Sequence, residues 1–303
     1  MKALFYYLIF PGFLFSAVAG LLSSWVERKV TARIQWRVGP PWYQNFLDLI
    51  KLSGKETIIP KQARATFLLA PYLGLFSLVL AATILGLALF TPQQSFTGDL
   101  IVVVYLLVIP AICAIIGASS SRNPLASVGA AREMKLVLGY ELPFVLSIAT
   151  VIVKTHGGIR LGDILAFQMN FNSLFFSFSG ALAFIAALLC CQAKLGLAPF
   201  EVAEAEQEIM AGTVIEYSGS ALAAFKLTKA ILLYTMPVLL ILFFLGKDIS
   251  PIFSLAKYII ILVVFILIKN TNPRLRIDQA VRFFWGPVTA IAGLALILAL
   301  LGL

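Results

Sequence analysis

Long apolar stretches alternate with short polar connections along the whole chain of 303 residues. Eight stretches approach the length of roughly 20 residues that a transmembrane helix needs. They are Ala3–Val26, Ala65–Phe90, Leu100–Ala118, Leu136–Val153, Leu174–Cys191, Ser220–Leu245, Ile252–Ile268 and Trp285–Leu303. The pattern predicts an all-α membrane protein of about eight transmembrane helices, forming one integral membrane domain over residues 1–303.

Composition agrees with this prediction, because 61% of the residues are hydrophobic, 12% are charged and the mean hydropathy is +0.98. A soluble domain could not bury so much apolar surface, so lipid is the expected solvent for most of the chain. Lys2 followed by an apolar stretch is similar to a signal peptide, but the stretch continues from Ala3 to Val26, longer than the roughly 7–15 apolar residues of a signal peptide. We therefore expect a retained first span and a multi-pass protein of the cell (cytoplasmic) membrane.

The basic residues are distributed unevenly between the connections, and this predicts the orientation. Sixteen lie in odd-numbered connections: Arg28, Lys29, Arg33, Arg37, Lys51, Lys55, Lys61, Arg64, Arg122, Arg132, Lys135, Lys194, Lys269, Arg274, Arg276 and Arg282. Five lie on the opposite side: Lys2, Lys154, Arg160, Lys247 and Lys257. The positive-inside rule predicts cytoplasmic odd-numbered connections and both termini outside. Membrane orientation therefore accounts for the net charge of +9, and binding to nucleic acid is not needed to explain it.

The long first connection contains one short amphipathic segment. From Gln44 to Leu52, apolar residues alternate at helical spacing with Asn45, Asp48 and Lys51. Such a helix can lie in the plane of the membrane interface, or pack on a partner subunit, and the sequence favours neither reading.

No residue pattern of a redox cofactor is present in the sequence. Cys113, Cys190 and Cys191 all lie inside apolar stretches and none belongs to a CxxC pair, so they are expected to be small buried hydrophobes. The single histidine, His156, stands in a loop beside two glycines and is expected to be structural or solvated. We therefore expect no metal, cofactor or catalytic residue on this chain, and any redox centre on partner subunits.

The fifth connection carries five glutamates within a short acidic segment: Glu201, Glu204, Glu206, Glu208 and Glu216. If the segment is helical, Glu201, Glu204 and Glu208 share one face. Clustered carboxylates repel, so at least one is expected to hold its proton near neutral pH and to exchange it as nearby charge changes. The alternative is a solvated acidic loop, against which the interleaved apolar residues argue.

Three ionisable residues lie within the apolar stretches themselves. Glu141 lies in the fourth, and Lys226 and Lys229 lie in the sixth. Ionisable groups at membrane depth are costly and often mark ion routes, so all three are candidates for a proton or ion path. In the alternative reading Glu141 lies at the cytoplasmic interface and the lysines extend toward it.

The sequence resembles the H-type membrane subunit of respiratory complex I, also called subunit 1, and its homologues in membrane-bound nickel–iron hydrogenases. The resemblance covers nearly the whole chain. It rests on ERKVTARIQWRVGPP (27–41), the set Gln44, Asp48 and Lys51, KETIIPK (55–61), GAAREMKLVLGYE (129–141), PFEVAEAEQEIMAGTVIEYSG (199–219) and PRLRIDQAVRFFWG (273–286).

The resemblance implies a subunit at the junction of a peripheral redox arm and a membrane ion-pumping arm. Positions matching Glu141, Glu204, Glu206, Glu208 and Glu216 form an acidic path in that family, and we add Glu201, Lys226 and Lys229. A second implied set faces the peripheral arm and comprises Arg28, Arg33, Arg37, Asp48, Lys51, Arg132, Arg274 and Arg276. The implied partners are membrane lipid, a hydrogenase-like large subunit, an iron–sulfur small subunit and antiporter-like membrane subunits, with iron–sulfur clusters and a nickel–iron site on the partners.

Two differences from quinone-reducing relatives indicate which branch of the family the sequence resembles. Here Tyr43 leads straight into Gln44 without the glycine-containing insertion of those relatives, and Lys229 stands where they carry a glutamate. Both departures resemble the branch of ferredoxin-driven hydrogenases and sulfur reductases. A quinone-pocket subunit of a complex I-type NADH or ferredoxin dehydrogenase is the alternative. A stand-alone secondary transporter is disfavoured, because no internal repeat is evident and the charges concentrate at one face.

Overall fold

A computed structural model describes residues 2–61, 63, 65–248 and 250–302, apart from the side chains of Lys2, Ala3, Glu206 and Gln207. The described residues are mainly helical. The helices are α1 Lys2–Leu8, α2 Phe13–Ile34, α3 Gln44–Ser53, α4 Ala65–Phe90, α5 Asp99–Ser120, α6 Pro124–Lys154, α7 Leu161–Asn170, α8 Phe178–Lys194, α9 Glu206–Ile209, α10 Gly219–Phe244, α11 Pro251–Thr271, α12 Ile277–Phe283 and α13 Thr289–Leu300.

The predicted membrane fold is confirmed. Within the described residues, seven helical segments are long and apolar enough to cross a membrane, and α8 is a shorter apolar helix of 17 residues. One span differs from its prediction, because the first apolar stretch forms two helices, α1 and α2, with a break around Gly12. A Cβ atom at Gly12 would lie 1.9 Å from the carbonyl oxygen of Tyr7, so the chain can turn this sharply only with glycine there.

Polar helical turns extend two of the predicted spans. Helix α6 begins at Pro124, well before the apolar stretch, and the side chain of Asn123 caps it by accepting a hydrogen bond of 2.9 Å from the Leu125 N–H. Helix α2 likewise continues past the apolar residues to Ile34. Helix α12 continues into α13 through a π-helical segment at Phe284–Val288 that contains Pro287.

Helix α10 is the centre of the bundle, and most of its length is buried. It packs against α2, α3, α4, α8 and α11, while α6 packs against α5, α8 and α13. The helices α2 and α10 approach closely at Gly20, where a Cβ atom would lie 2.5 Å from the Ala230 carbonyl oxygen. The two lysines of α10 are therefore carried by the central helix of the fold.

The predicted amphipathic helix is confirmed as α3, and it packs on this chain rather than standing apart. Asn45 is buried and donates a hydrogen bond of 3.1 Å to the Leu21 carbonyl in α2. Ile50 on the same helix is 68% exposed. The helix therefore has one face on the bundle and leaves apolar surface available to lipid or a partner.

The odd-numbered and even-numbered connections separate to opposite ends of the bundle. Odd-numbered connections contact one another through ion pairs, such as that of Arg274 with Glu201. At the other end, Arg160 donates to the Ser95 carbonyl at 2.6 Å, and the Leu161 N–H donates to the Asp99 carboxylate at 2.8 Å. This grouping agrees with the predicted topology, whereas the side on which each end lies remains a prediction.

Candidate functional site

The acidic segment of the fifth connection folds as an irregular loop, here called the carboxylate loop (residues 195–218). Only Glu206–Ile209 is α-helical, and a single 3₁₀ turn follows at Gly212–Val214. The conditional prediction that Glu201, Glu204 and Glu208 share one helical face is therefore wrong, because the segment from 201 to 205 is not helical. Each of these three carboxylates instead faces a different neighbouring element.

Close packing against α4 and α6 fixes the path of the carboxylate loop. A Cβ atom at Gly129 would lie 2.8 Å from the Thr213 nitrogen and 3.0 Å from the Ala203 oxygen, so loop and helix touch backbone to backbone. Tyr217 stacks on Phe67 with ring centroids 4.2 Å apart and donates a hydrogen bond of 3.0 Å to the Phe67 carbonyl. Burial raises the pKa of the Tyr217 hydroxyl, so it remains a donor at neutral pH.

Two arginines hold the outer edge of the carboxylate loop. Arg274 lies 2.9 Å from Glu201, and Arg132 lies 2.8 Å from Glu208. The Leu275 N–H also donates to the Pro199 carbonyl at 3.0 Å. These contacts join the third and seventh connections to the fifth. Arg132 and Arg274 were both predicted to face a partner, and each of them forms an ion pair within this chain.

The inner edge of the carboxylate loop contacts the central helix. The ammonium of Lys229 in α10 donates a hydrogen bond to the Glu204 carboxylate. The Lys229 side chain is 47% exposed, and it lines two cavities, so its accessible area faces the interior of the site. Among the predicted path residues whose side chains the structure describes, Glu204 and Lys229 are the pair that forms a direct ion pair.

Deeper in the bundle, Glu141 of α6 forms an ion pair with Lys194 at the end of α8. The Lys194 Nζ atom lies 2.7 Å from Glu141 Oε2, and the lysine side chain is only 2% exposed. The same ammonium lies 4.4 Å from the ring centroid of Phe144 and 5.0 Å from that of Tyr140. Because aromatic faces compensate a buried charge only weakly, the Lys194 cation depends on the Glu141 carboxylate.

A cavity of about 80 Å³ lies between these two ion pairs. Its ionisable lining residues are Glu133, Tyr140, Lys194, Glu201, Glu204 and Lys229. Glu133 was not among the predicted site residues, although its carboxyl interacts electrostatically with both Glu204 and Lys229. The signal for it was helical spacing, because Glu133 and Tyr140 are seven residues apart and share a face of α6.

A second, larger cavity of about 310 Å³ lies between α2, α3 and α10 and shares Glu201 and Lys229 with the first. Arg28 donates a hydrogen bond of 2.5 Å to Asn45 Oδ1 and lies 3.7 Å from Asp48. Arg28 and Asp48, predicted to face the peripheral arm, therefore line this cavity.

Two further groups stand at the edge of the second cavity. Glu27 accepts a hydrogen bond from Lys269 of α11, which joins the first and seventh connections. Lys226 also lines the cavity and has no ion-pair partner among the described side chains. The cavity therefore combines charged walls with apolar side chains such as Leu233.

The remaining predicted residues lie outside these contacts. Glu216 accepts a hydrogen bond from the Asn123 side chain, which also caps α6. Four basic residues are exposed or half-buried at the surface: Arg33, Arg37, Lys51 and Arg276. The side chain of Glu206 and the whole of Arg64 fall outside the described part of the chain. The three cysteines are buried and unpaired, as predicted.

Comparison with known proteins identifies the family of this chain. The chain matches the NADH dehydrogenase family over residues 6–300. It is 31% identical to the H-type subunit of the NADH-quinone oxidoreductase of Bacillus cytotoxicus, over 91% of this chain and 87% of that protein. It is 32% identical to the corresponding protein of Dehalococcoides mccartyi (strain ATCC BAA-2266), over 93% of this chain and 81% of that protein.

One solved structure extends the likeness to three dimensions. It is a chain of the membrane-bound sulfane sulfur reductase, an archaeal respiratory membrane complex, with a TM-score of 0.85 and 30% identity. The match covers 94% of this chain and 96% of that chain. Sequence and structure thus agree over nearly the full length, and the chain belongs to the NADH dehydrogenase family as an H-type subunit of a complex I-like respiratory membrane complex.

Proposed function

We propose that this chain is the membrane-anchoring and ion-coupling subunit of a ferredoxin-driven complex, either a membrane-bound sulfur reductase or a related nickel–iron hydrogenase. It would link a peripheral arm of hydrogenase-like large and iron–sulfur small subunits to antiporter-like membrane subunits. The structural likeness to a sulfane sulfur reductase supports this branch. Electron transfer would take place on the partners, with the odd-numbered connections on the cytoplasmic side.

The observation that carries the proposal is a continuous series of acid–base contacts from the surface into the bundle. It begins at the pairs of Arg274 with Glu201 and Arg132 with Glu208, at the edge of the carboxylate loop. It continues through the pair of Lys229 with Glu204 and the cavity beside Glu133. It ends at the pair of Lys194 with Glu141. Salt bridges that served stability alone would not need to follow one another from the surface into the bundle.

Each part of the series has a role in moving protons. A redox change in the peripheral arm alters the charge beside the carboxylate loop, and protons redistribute along the series in response. The cavity of about 80 Å³ has room for several waters, at roughly 10–15 Å³ each, and water can carry protons between Glu204 and Glu133. At the inner end, protonation of Glu141 would leave the Lys194 ammonium unbalanced, so the change in charge passes to the neighbouring membrane subunit.

The test is ion uptake by the purified complex in sealed vesicles, driven by reduced ferredoxin. Glu141→Gln and Glu208→Gln should each abolish proton or sodium uptake while the complex still assembles and still turns over. Glu56→Gln is the matched control, because Glu56 is exposed in the first connection and lies outside the series. Normal uptake by both path variants would refute the proposed route.

A second candidate function is that of a quinone-pocket subunit in a complex I-type dehydrogenase. The cavity of about 310 Å³ between α2, α3 and α10 favours it, since small-molecule sites begin at roughly this volume. Lys229 at its wall forms an ion pair with Glu204, and this argues for charge transfer instead. Quinone extracted in stoichiometric amount from the purified complex, or inhibition by quinone-site blockers, would establish this second function over the first.

A further inference from the structure

Helix α2 ends in a backbone turn that usually contains glycine. The Trp36 N–H donates to the Arg33 carbonyl at 3.1 Å, and the Arg37 N–H donates to the Ala32 carbonyl at 2.7 Å. These two bonds form a Schellman motif, whose residue after the helix cap adopts a left-handed backbone. Trp36 occupies that position with φ of +59°. A bulky residue there costs free energy that glycine would not cost.

Contacts of the Trp36 side chain with the rest of this chain do not offset that cost. It is 96% exposed, and Val38 beside it is 79% exposed. A tryptophan normally stabilises a fold through the large area that it buries, and here that area stays uncovered. Packing within this chain therefore does not explain why the strained position carries a tryptophan.

The charges around Trp36 are all of one sign. Arg33 and Arg37 are exposed, and neither guanidinium has an ion-pair partner among the described side chains. Between Glu27 and Asp48 the sequence contains no acidic residue. The segment 33–38, here called the Trp36 tip, thus combines an apolar centre with a cationic rim. Tryptophan and arginine are the residues that most often dominate the energy of protein–protein contacts.

The Trp36 tip extends from the end of the molecule that carries the carboxylate loop. Glu27 and Arg28, shortly before it on α2, line the larger cavity together with Glu201. The side chain of an interfacial aromatic residue in a membrane usually lies at the level of the lipid headgroups, whereas Trp36 projects beyond the end of α2, held by a fixed turn. A fixed, exposed anchor suits insertion into a preformed protein pocket better than contact with fluid lipid.

We propose that Trp36 is the anchor by which this chain holds the soluble peripheral arm. Its ring enters an apolar pocket on a soluble subunit, and carboxylates around that pocket pair with Arg33 and Arg37. This inference rests on the proposed function and adds the residue and the partner chemistry to it.

The test uses the intact complex with Trp36→Gly, which relieves the backbone strain while removing the anchor. The thermal midpoint of the membrane part should stay the same or rise, and retention of the peripheral subunits in mild detergent should fall roughly tenfold or more. Trp36→Ala should lose the arm to a similar extent. The matched control is His156→Gly, because His156 (φ of +55°) closes the same kind of turn at the other end of the bundle. That control should retain the arm fully.

Cross-linking identifies what touches the Trp36 tip. Benzoylphenylalanine placed at position 36 should form a covalent adduct with a soluble subunit of the complex upon irradiation. Adducts with lipid alone, or equal retention of the arm by Trp36→Gly and the unsubstituted complex, would overturn the anchor. If the unsubstituted complex itself carries no peripheral subunit, the proposed function is wrong. If that complex carries the peripheral arm and Trp36→Gly retains it equally, only the anchor is wrong.

Discussion

The ion pair between Lys194 and Glu141 connects the interior of the bundle to its lateral surface. The lysine side chain is 2% exposed and the glutamate side chain 27% exposed. Lys194 lines the inner cavity, whereas Glu141 lines a wide apolar groove of about 650 Å³ between α5 and α6. The pair is therefore the point at which charge inside the chain meets the face available to a neighbouring membrane subunit.

The two members of this pair should differ in what their removal costs. Glu141→Leu leaves a buried ammonium without a partner, and we expect a loss of about 3–5 kcal/mol in the free energy of unfolding. Lys194→Met should cost less, because the Glu141 carboxylate is partly exposed and is less dependent on a partner. The double variant should recover most of the loss. Denaturation midpoints in detergent measure all three, and equal costs for the two single variants would contradict the burial asymmetry.

A second prediction concerns the pair of Lys229 with Glu204. Lys229→Glu would place four carboxylates around one small cavity, together with Glu133, Glu201 and Glu204, and their repulsion should disturb the site. We expect ion uptake to be lost in that variant. The charge-swapped double variant Glu204→Lys/Lys229→Glu restores the opposite signs and should regain part of the uptake. If the swap behaves no better than the single variant, the contact itself does not serve coupling.

The membrane fold was largely predictable because transmembrane helices are encoded locally. The span Ala65–Phe90 has the same bounds in sequence and structure. Helix α6 exceeds its predicted span because the polar residues Arg132, Glu133 and Lys135 lower hydropathy without breaking a helix. The break between α1 and α2 was missed because hydropathy does not register it, although Pro11 and Gly12 are residues typical of turns.

The site was predictable in its residues but not in their pairing. The acidic segment was evident from composition, yet its partners Arg132, Lys229 and Arg274 come from elements distant in the chain. Glu201 and Glu204 do not share a helical face because the backbone there follows tertiary contacts with α6 instead of local periodicity. Such contacts leave no regular spacing in the sequence, so they emerge only from the fold.

The close contact at Gly129 gives a prediction about the carboxylate loop. Gly129→Ala should push the loop away from α6, because its Cβ atom would meet the backbone of Thr213 and Ala203. We expect a cost of about 1–3 kcal/mol. Hydrogen exchange at residues 203–213 should accelerate. Gly293→Ala is the matched control, since nothing lies within 4 Å of its Cβ position in α13, and it should be neutral or stabilising. Unchanged exchange in both variants would contradict the close packing.

The outer pair of Arg132 with Glu208 should matter for coupling far more than for stability. Glu208 is 64% exposed, and exposed ion pairs contribute roughly 0–1 kcal/mol, less at high salt. Arg132→Gln should therefore leave the thermal midpoint nearly unchanged yet lower ion uptake per electron, because Glu208 loses the cation beside it. Raising the salt concentration should weaken uptake in the unsubstituted complex more than in Arg132→Gln. A large drop in the midpoint together with normal uptake would assign the pair a structural role instead.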